Sequence, residues 1–299
     1  MFVVSNDGTQ AVSNTAGQQR TTTSAIHSRE DAERPNLDLS SRINAVTGPL
    51  DITDLHVPVT VAVEDGSVGG ISFPPERPAS LTDAETIRAN DWQAFQTLPR
   101  LDDHWTRKVW EPDYAAYYWY LTFTDPALVR LVEQSQSRLD TTHLSLVPAD
   151  GLHLTVLKVG AAEGITVSEM EAIVATADEQ LAEMDAFSLD VGPLAGSPSA
   201  IRFSVTPWDC LVDLHARLTT SLATVRPEFR PKPTSRFRPH LGIAYNKTPR
   251  DATPVIREIA ALRDLPSATV LVDAVKLVRL WRTDHRYEWD ECAVITLRP

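Results

Sequence analysis

Two short strings set a histidine inside an otherwise apolar run: Leu152-His153-Leu154-Thr155-Val156 and His240-Leu241-Gly242-Ile243-Ala244-Tyr245. Side chains of an extended chain alternate between faces, so Leu152, Leu154 and Val156 share one side. His153 and Thr155 share the other, about 7 Å apart along the strand. An imidazole titrates near neutral pH and can take or give a proton, and a hydroxyl beside it can hold a phosphate or carbonyl oxygen. Two such histidines could flank a phosphorus centre as base and acid. A lone histidine in an apolar strand is ordinarily a packed residue; two at equivalent points of a repeated pattern are harder to dismiss.

The elements that must position them recur. A first series runs strand (117–123), helix opened by Asp125-Pro126, strand (152–159), helix (166–184) and strand (187–191). A second runs strand (201–205), helix opened by Thr206-Pro207, strand (240–245), helix opened by Thr253-Pro254 and strand (269–280), with a last strand at 291–297. Proline after an N-cap residue marks three of the helix starts. Thr166 and Glu169 form a capping box for the fourth, with Val167, Met170, Ile173, Val174, Ala177 and Leu181 at helical spacing. Strand-helix-strand units of this kind build a layered fold, and two such lobes leave a cleft between them.

Upstream, residues 1–42 are polar and lack apolar periodicity, the composition of a disordered tail. Residues 43–103 read as an N-terminal extension: a β-hairpin from the alternating Leu55, Val57, Val59, Val61 and Val63 through Phe73, then a helix opened by a Thr82/Glu85 capping box. The extension is open to docking a protein partner. Residues 104–299 hold the two series.

Composition narrows the function classes. The 299 residues carry 40 acidic against 28 basic side chains, a net charge of -12, which argues against a protein coating nucleic acid through its whole surface. Cys210 and Cys292 stand in no metal-binding spacing. No run approaches the length of a membrane span, and the first residues lack the pattern of a secretory signal, so a cytoplasmic setting without membrane association is expected.

With its paired histidine motifs the chain resembles the 2H phosphoesterase superfamily, in its bacterial 2′-5′ RNA ligase-like and cyclic phosphodiesterase branch. His153-Leu154-Thr155-Val156 matches the first His-x-Thr/Ser-hydrophobic motif fully. His240-Leu241-Gly242-Ile243, preceded by Arg238-Pro239, matches the second except that Gly242 stands where a hydroxyl residue is expected. His104-Trp105, Ala244-Tyr245 and Tyr287-Glu288-Trp289 extend the likeness over residues 104–299.

The resemblance implies an α+β, bilobal fold with two pseudo-symmetric β-α-β-α-β lobes around a central cleft. It implies a phosphoesterase, without metal or cofactor, that hydrolyses or reversibly ligates a 2′,3′-cyclic phosphate or 2′-5′ phosphodiester in RNA or a small nucleotide. His240 would be the base, His153 the acid, and Thr155 a contact to a non-bridging oxygen. Gly242 removes one expected contact. It leaves open reduced turnover, a bulkier substrate, a replacement contact from a backbone amide or Tyr245, or a nucleotide-binding module that has lost turnover.

Charge adds candidates. Arg226, Arg230, Lys232, Arg236 and Arg238 face only Glu228 in the segment entering His240, which reads as a mobile basic loop at the cleft mouth. Arg236, Arg238 and Lys158 are therefore expected substrate-binding positions, and the resemblance adds Tyr245 and Gly242 of the second motif. His143-Leu144-Ser145-Leu146 also fits the short pattern but lies outside the repeated frame, and His215 sits among the leucines of a helix as a packed or surface residue.

Overall fold

The structure, a computed structural model, describes residues 72–107 and 110–299. The hairpin expected at 55–73 and the tail expected at 1–42 fall almost wholly outside these residues.

In chain order the elements are α1 (Ala84–Gln96), β1 (Arg100–Leu101), α2 (His104–Arg107), β2 (Ala115–Thr122), α3 (Pro126–Gln136), β3 (Leu144–Leu146), β4 (His153–Ala161), α4 (Val167–Leu181), β5 (Phe187–Ser197) and β6 (Ala200–Thr206). There follow α5 (Asp209–Val225), β7 (Leu241–Asn246), β8 (Arg250–Asp251), α6 (Thr253–Ala260), β9 (Ala268–Val272), β10 (Ala274–Thr283) and β11 (Arg286–Thr296). They form an antiparallel four-stranded sheet ordered β11-β10-β2-β4 and an antiparallel five-stranded sheet ordered β3-β7-β6-β5-β9. Helices α4 and α5 pack together, α5 on β4 and α4 against β11, while α3 lies on β9 and β7.

The two sheets are thus not built from one series each. The last strand of the first series, β5, pairs with β6 and β9 in the second sheet. The run 269–280, expected as one strand, breaks at Asp273: β9 stays in the second sheet and β10 crosses to pair with β2 in the first. Each sheet is completed by two strands from the other half of the chain, β10 and β11 in the first and β3 and β5 in the second.

Local chemistry explains the starts of α3 and α4. The Asp125 carboxylate accepts from the amides of Ala127 and Leu128 ahead of Pro126, and the Thr166/Glu169 capping box is closed in both directions. Two expected starts move. Thr206 ends β6, Pro207 follows a cis peptide bond, and α5 begins only at Asp209. At α1 the capping residue is Asp83, which accepts from the Thr86 amide at 2.8 Å, in place of the Thr82/Glu85 box.

The described part of the extension belongs to the same compact body as the sheets. Phe95 of α1 sits where a Cβ on Gly196 would be, so only glycine permits this approach of helix to strand. Asp91 of α1 pairs with Arg202 of β6 at 3.1 Å, both side chains 1% exposed. Cys210 and Cys292 are free thiols. Among the described residues no helix is long and apolar enough to cross a membrane.

Candidate active site

Each histidine strand carries the same irregularity. On β4, Leu157 faces Trp119 and Thr155 faces Tyr120, so Val156 is an extra residue without a partner on β2. On β7, Ala244 faces Ile201 and Gly242 faces Arg202, so Ile243 is extra in the same way. Both bulged residues stand three positions after their histidine. A β-bulge reverses the parity of alternation beyond it and re-aims the side chains that follow.

The consequence is visible in burial. His153, Thr155 and Lys158 are partly exposed while Leu154, Val156 and Leu157 are buried; Gly242 and Tyr245 are partly exposed while Leu241, Ile243 and Ala244 are buried. Strict alternation from His153 would have sent Lys158 to the face of Leu154. The bulge returns it to the face of His153 and Thr155, and it likewise sets Tyr245 beside Gly242. Lys158 and Tyr245 are therefore structural counterparts, each five residues after its histidine.

The two imidazoles are held alike. His153 Nδ1 lies 2.8 Å from the carbonyl oxygen of Gly151, and His240 Nδ1 lies 2.8 Å from that of Arg238, in each case two residues upstream. A carbonyl can only accept, so Nδ1 carries the proton in both neutral rings and Nε2 is the nitrogen that changes protonation. His153 stacks on Tyr120, with centroids 4.4 Å apart and planes 10° apart, and meets the Trp289 ring edge-on at 5.3 Å. Burial pushes the His153 pKa down, opposed by the hydrogen bond to Gly151.

Thr155 and Tyr120 face one another across the strands, and the Thr155 side chain opposes part of the rise in the Tyr120 phenol. Burial raises the Tyr120 phenol, and it raises Tyr245 well above the ordinary tyrosine value, with Tyr287 and Tyr120 adding to the effect. Tyr120 comes from the first sheet and Tyr245 from the second, so these phenols mark where the sheets meet. A narrow pocket there is lined by His153, Tyr245, Tyr287, Trp289, Arg286 and Pro148. Lys158 Nζ lies 5.9 Å from the centre of the Tyr114 ring.

Arg238, expected among the substrate contacts, is placed otherwise. Its Nε donates to Pro74 O, its Nη2 to Pro75 O, and its Nη1 to Ser235 O and Phe237 O, at 2.9 to 3.1 Å. It clips the residues before His240 to the segment before α1. Arg236 is exposed on the turn Thr234–Arg236, and its carbonyl accepts from Ser72 Oγ at 2.8 Å. The basic loop is tied to the fold on its other side by His215, which bonds Thr234 Oγ1 at 2.9 Å and stacks on Phe237 at 4.6 Å.

His215 is buried, which pushes its pKa down to about 4. The fold therefore holds the neutral ring, whereas the unfolded chain binds its proton near 6.5. The unfolded state gains protons first as pH falls, so the stability this ring contributes is complete above about 6.5 and is lost on the way down to about 4. Urea midpoints measured across this range should fall more steeply for the wild type than for His215→Gln, by up to one proton, or about 1.4 kcal/mol per pH unit. Equal slopes would contradict it.

Other residues at the site carried weaker signals. His104 bridges Ser199 Oγ at 3.1 Å and the Tyr287 hydroxyl at 2.8 Å, and its ring lies over Tyr245 at 4.2 Å. Tyr287, pushed up to about 12 by burial against the opposing effect of Arg282, belongs to the same cluster. Tyr120 was legible only as one aromatic among several in its strand. His143 bonds Thr248 Oγ1 at 3.1 Å beside β3, apart from these groups. Among the described residues no cluster of three or more His, Cys, Asp or Glu side chains is arranged to hold a metal.

No curated protein matches the chain. Among solved structures it is similar to E. coli LigT in its apo form, at 15% identity over 62% of this chain and 99% of that one, with a TM-score of 0.48. It is also similar to TT0787 of Thermus thermophilus, at 18% identity over 62% and 98% with a TM-score of 0.45. A crystal structure described as a phosphoesterase matches at 15% identity over 62% and 100%, with a TM-score of 0.48. The family model of the 2′-5′ RNA ligase superfamily matches residues 124–284, more than half of the sequence, and spans both histidine motifs: the chain belongs to that superfamily.

Proposed function

We propose that this protein is a phosphoesterase that opens a 2′,3′-cyclic phosphate, or cleaves a 2′-5′ phosphodiester, in RNA or a small nucleotide by two-histidine acid–base chemistry. The observation that carries the reading is the shared tether of the imidazoles: each Nδ1–H is engaged by a carbonyl two residues upstream, which leaves Nε2 to exchange protons. Membership of the 2′-5′ RNA ligase superfamily supports the substrate class.

One neutral imidazole takes a proton from water as the water oxygen bonds phosphorus. The other, protonated, gives its Nε2 proton to the departing ribose oxygen, which keeps the electron pair of the breaking P–O bond. The product is a monoester with a free ribose hydroxyl, and each ring ends in the other's starting state. In the ligation direction a ribose hydroxyl takes the place of the water, and the same two rings exchange the protons. Thr155 and Lys158 supply a hydroxyl and a cation to the non-bridging oxygens. The scheme draws on side chains alone.

Burial of His153 favours its neutral form. We therefore assign His153 as base and His240 as acid, the reverse of the roles implied by the resemblance. The ascending limb of kcat/KM against pH for adenosine 2′,3′-cyclic phosphate should then lie below the ordinary histidine value of about 6.5. An ascending limb at or above that value would remove the ground for this assignment.

Gly242 favours a second reading, a module that binds the nucleotide and turns it over weakly or not at all. Binding of the cyclic phosphate without product after hours of incubation would select it.

A further inference from the structure

We propose that the Tyr245 hydroxyl donates the second hydrogen bond to the phosphate, in the place that a serine or threonine at position 242 would fill. The inference rests on the phosphoesterase reading and deepens it, because it names the group that compensates for the irregular second motif.

Position comes first. A Cβ built on Gly242 would find the Tyr245 hydroxyl oxygen as its nearest neighbour, at 3.7 Å, with ring atoms Cε1 and Cζ at 3.9 Å. A hydroxyl on that Cβ would compete for the space to which the phenol already extends. The bulge at Ile243 produces this arrangement, since without it Tyr245 would share a face with Leu241. The first motif shows the complementary case: Thr155 keeps its own hydroxyl, and the residue five beyond the histidine is the cation Lys158. One half thus offers a hydroxyl and a cation, the other a glycine and a phenol.

The donor is also held in place. His104 lies over the Tyr245 ring at 4.2 Å, and Trp105 and Tyr287 meet it edge-on at 5.3 and 5.4 Å. His104 is itself fixed by Ser199 and Tyr287. A fixed donor needs no reorganisation as charge develops on the phosphate. Burial holds the phenol in its protonated form, so it stays a donor throughout the working pH range. The residue lines the same narrow pocket as His153.

The test is a two-residue cycle read by turnover of adenosine 2′,3′-cyclic phosphate. Removal of one such donor typically lowers turnover about 10²–10³-fold. Tyr245→Phe should lower kcat by about 10²-fold with KM little changed and with both limbs of the pH profile in place. Adding Gly242→Ser to Tyr245→Phe should recover at least tenfold over Tyr245→Phe alone, because it returns a hydroxyl to the vacated donor position. Phenylalanine keeps the ring contacts, and thermal unfolding of each variant verifies the fold. Turnover by Tyr245→Phe within threefold of wild type, or no recovery in the double variant, overturns the proposal.

A binding readout separates this inference from the phosphoesterase reading. If the wild type shows no turnover, calorimetric titration with adenosine 2′-phosphate decides: weaker binding by Tyr245→Phe, restored by Gly242→Ser, upholds the contact, and equal binding by wild type and Tyr245→Phe refutes it.

Discussion

Replacing His153 or His240 with alanine is expected to lower turnover of a nucleoside 2′,3′-cyclic phosphate by about 10²–10⁴-fold each, the range for loss of one positioned acid or base. The double variant should be little worse than the more damaged single one, since both rings serve one transfer and their effects do not add. Stability should separate the two. His153 is stacked on Tyr120 with Trp289 edge-on to it, so its removal opens a gap in an aromatic cluster, while His240 is exposed and leaves none. His153→Ala should therefore lower the unfolding temperature more than His240→Ala does. Full activity in either variant would end the two-histidine reading.

Asp91→Ala should cost about 3–5 kcal/mol of folding stability, the usual penalty for stripping one partner from a buried ion pair. Arg202 is 1% exposed, and besides the Asp91 carboxylate its guanidinium donates to the carbonyl of Gly196, at 3.2 Å from Nε. Without the carboxylate a full positive charge stays in the interior next to the strand of His240. Replacing both partners by apolar residues of similar size, Asp91→Leu with Arg202→Met, should recover most of the loss, because no charge is then left buried. The denaturant midpoints of wild type, single and double variant check the order. A single variant as stable as the double would show that the pair is not what holds α1 to β6.

How much of this was open to a reader of the sequence depended on range. The Asp125 cap and the Thr166/Glu169 box are written in residues a few positions apart, and the structure forms both as their local chemistry dictates. Thr206-Pro207 has the same local appearance, yet the chain is still finishing β6 there, and the pairing of Thr206 with Asp190 of β5 outweighs the helix-start signal. The bulges left no trace because Val156 and Ile243 are ordinary strand residues in apolar runs. Only the register against β2 and β6 reveals that each is supernumerary. Arg238 carried a charge that suited a phosphate, and nothing nearby in sequence announced the carbonyls of Pro74 and Pro75 that occupy it. Asp91 and Arg202 are joined across 111 positions, beyond the reach of any local pattern.

The exchange of β5 and β10 between the halves has a bearing on how such a protein can be taken apart. A chain cut in the turn between β5 and β6 would yield a front piece whose first sheet lacks β10 and β11, and a rear piece whose β6 and β9 have lost the strand between them. Neither fragment would own a complete scaffold for its histidine, and mixing the two should regenerate both scaffolds together. Each histidine strand thus stands in a sheet that draws strands from both halves of the chain, so a loss of pairing in either half reaches the strands that hold both imidazoles.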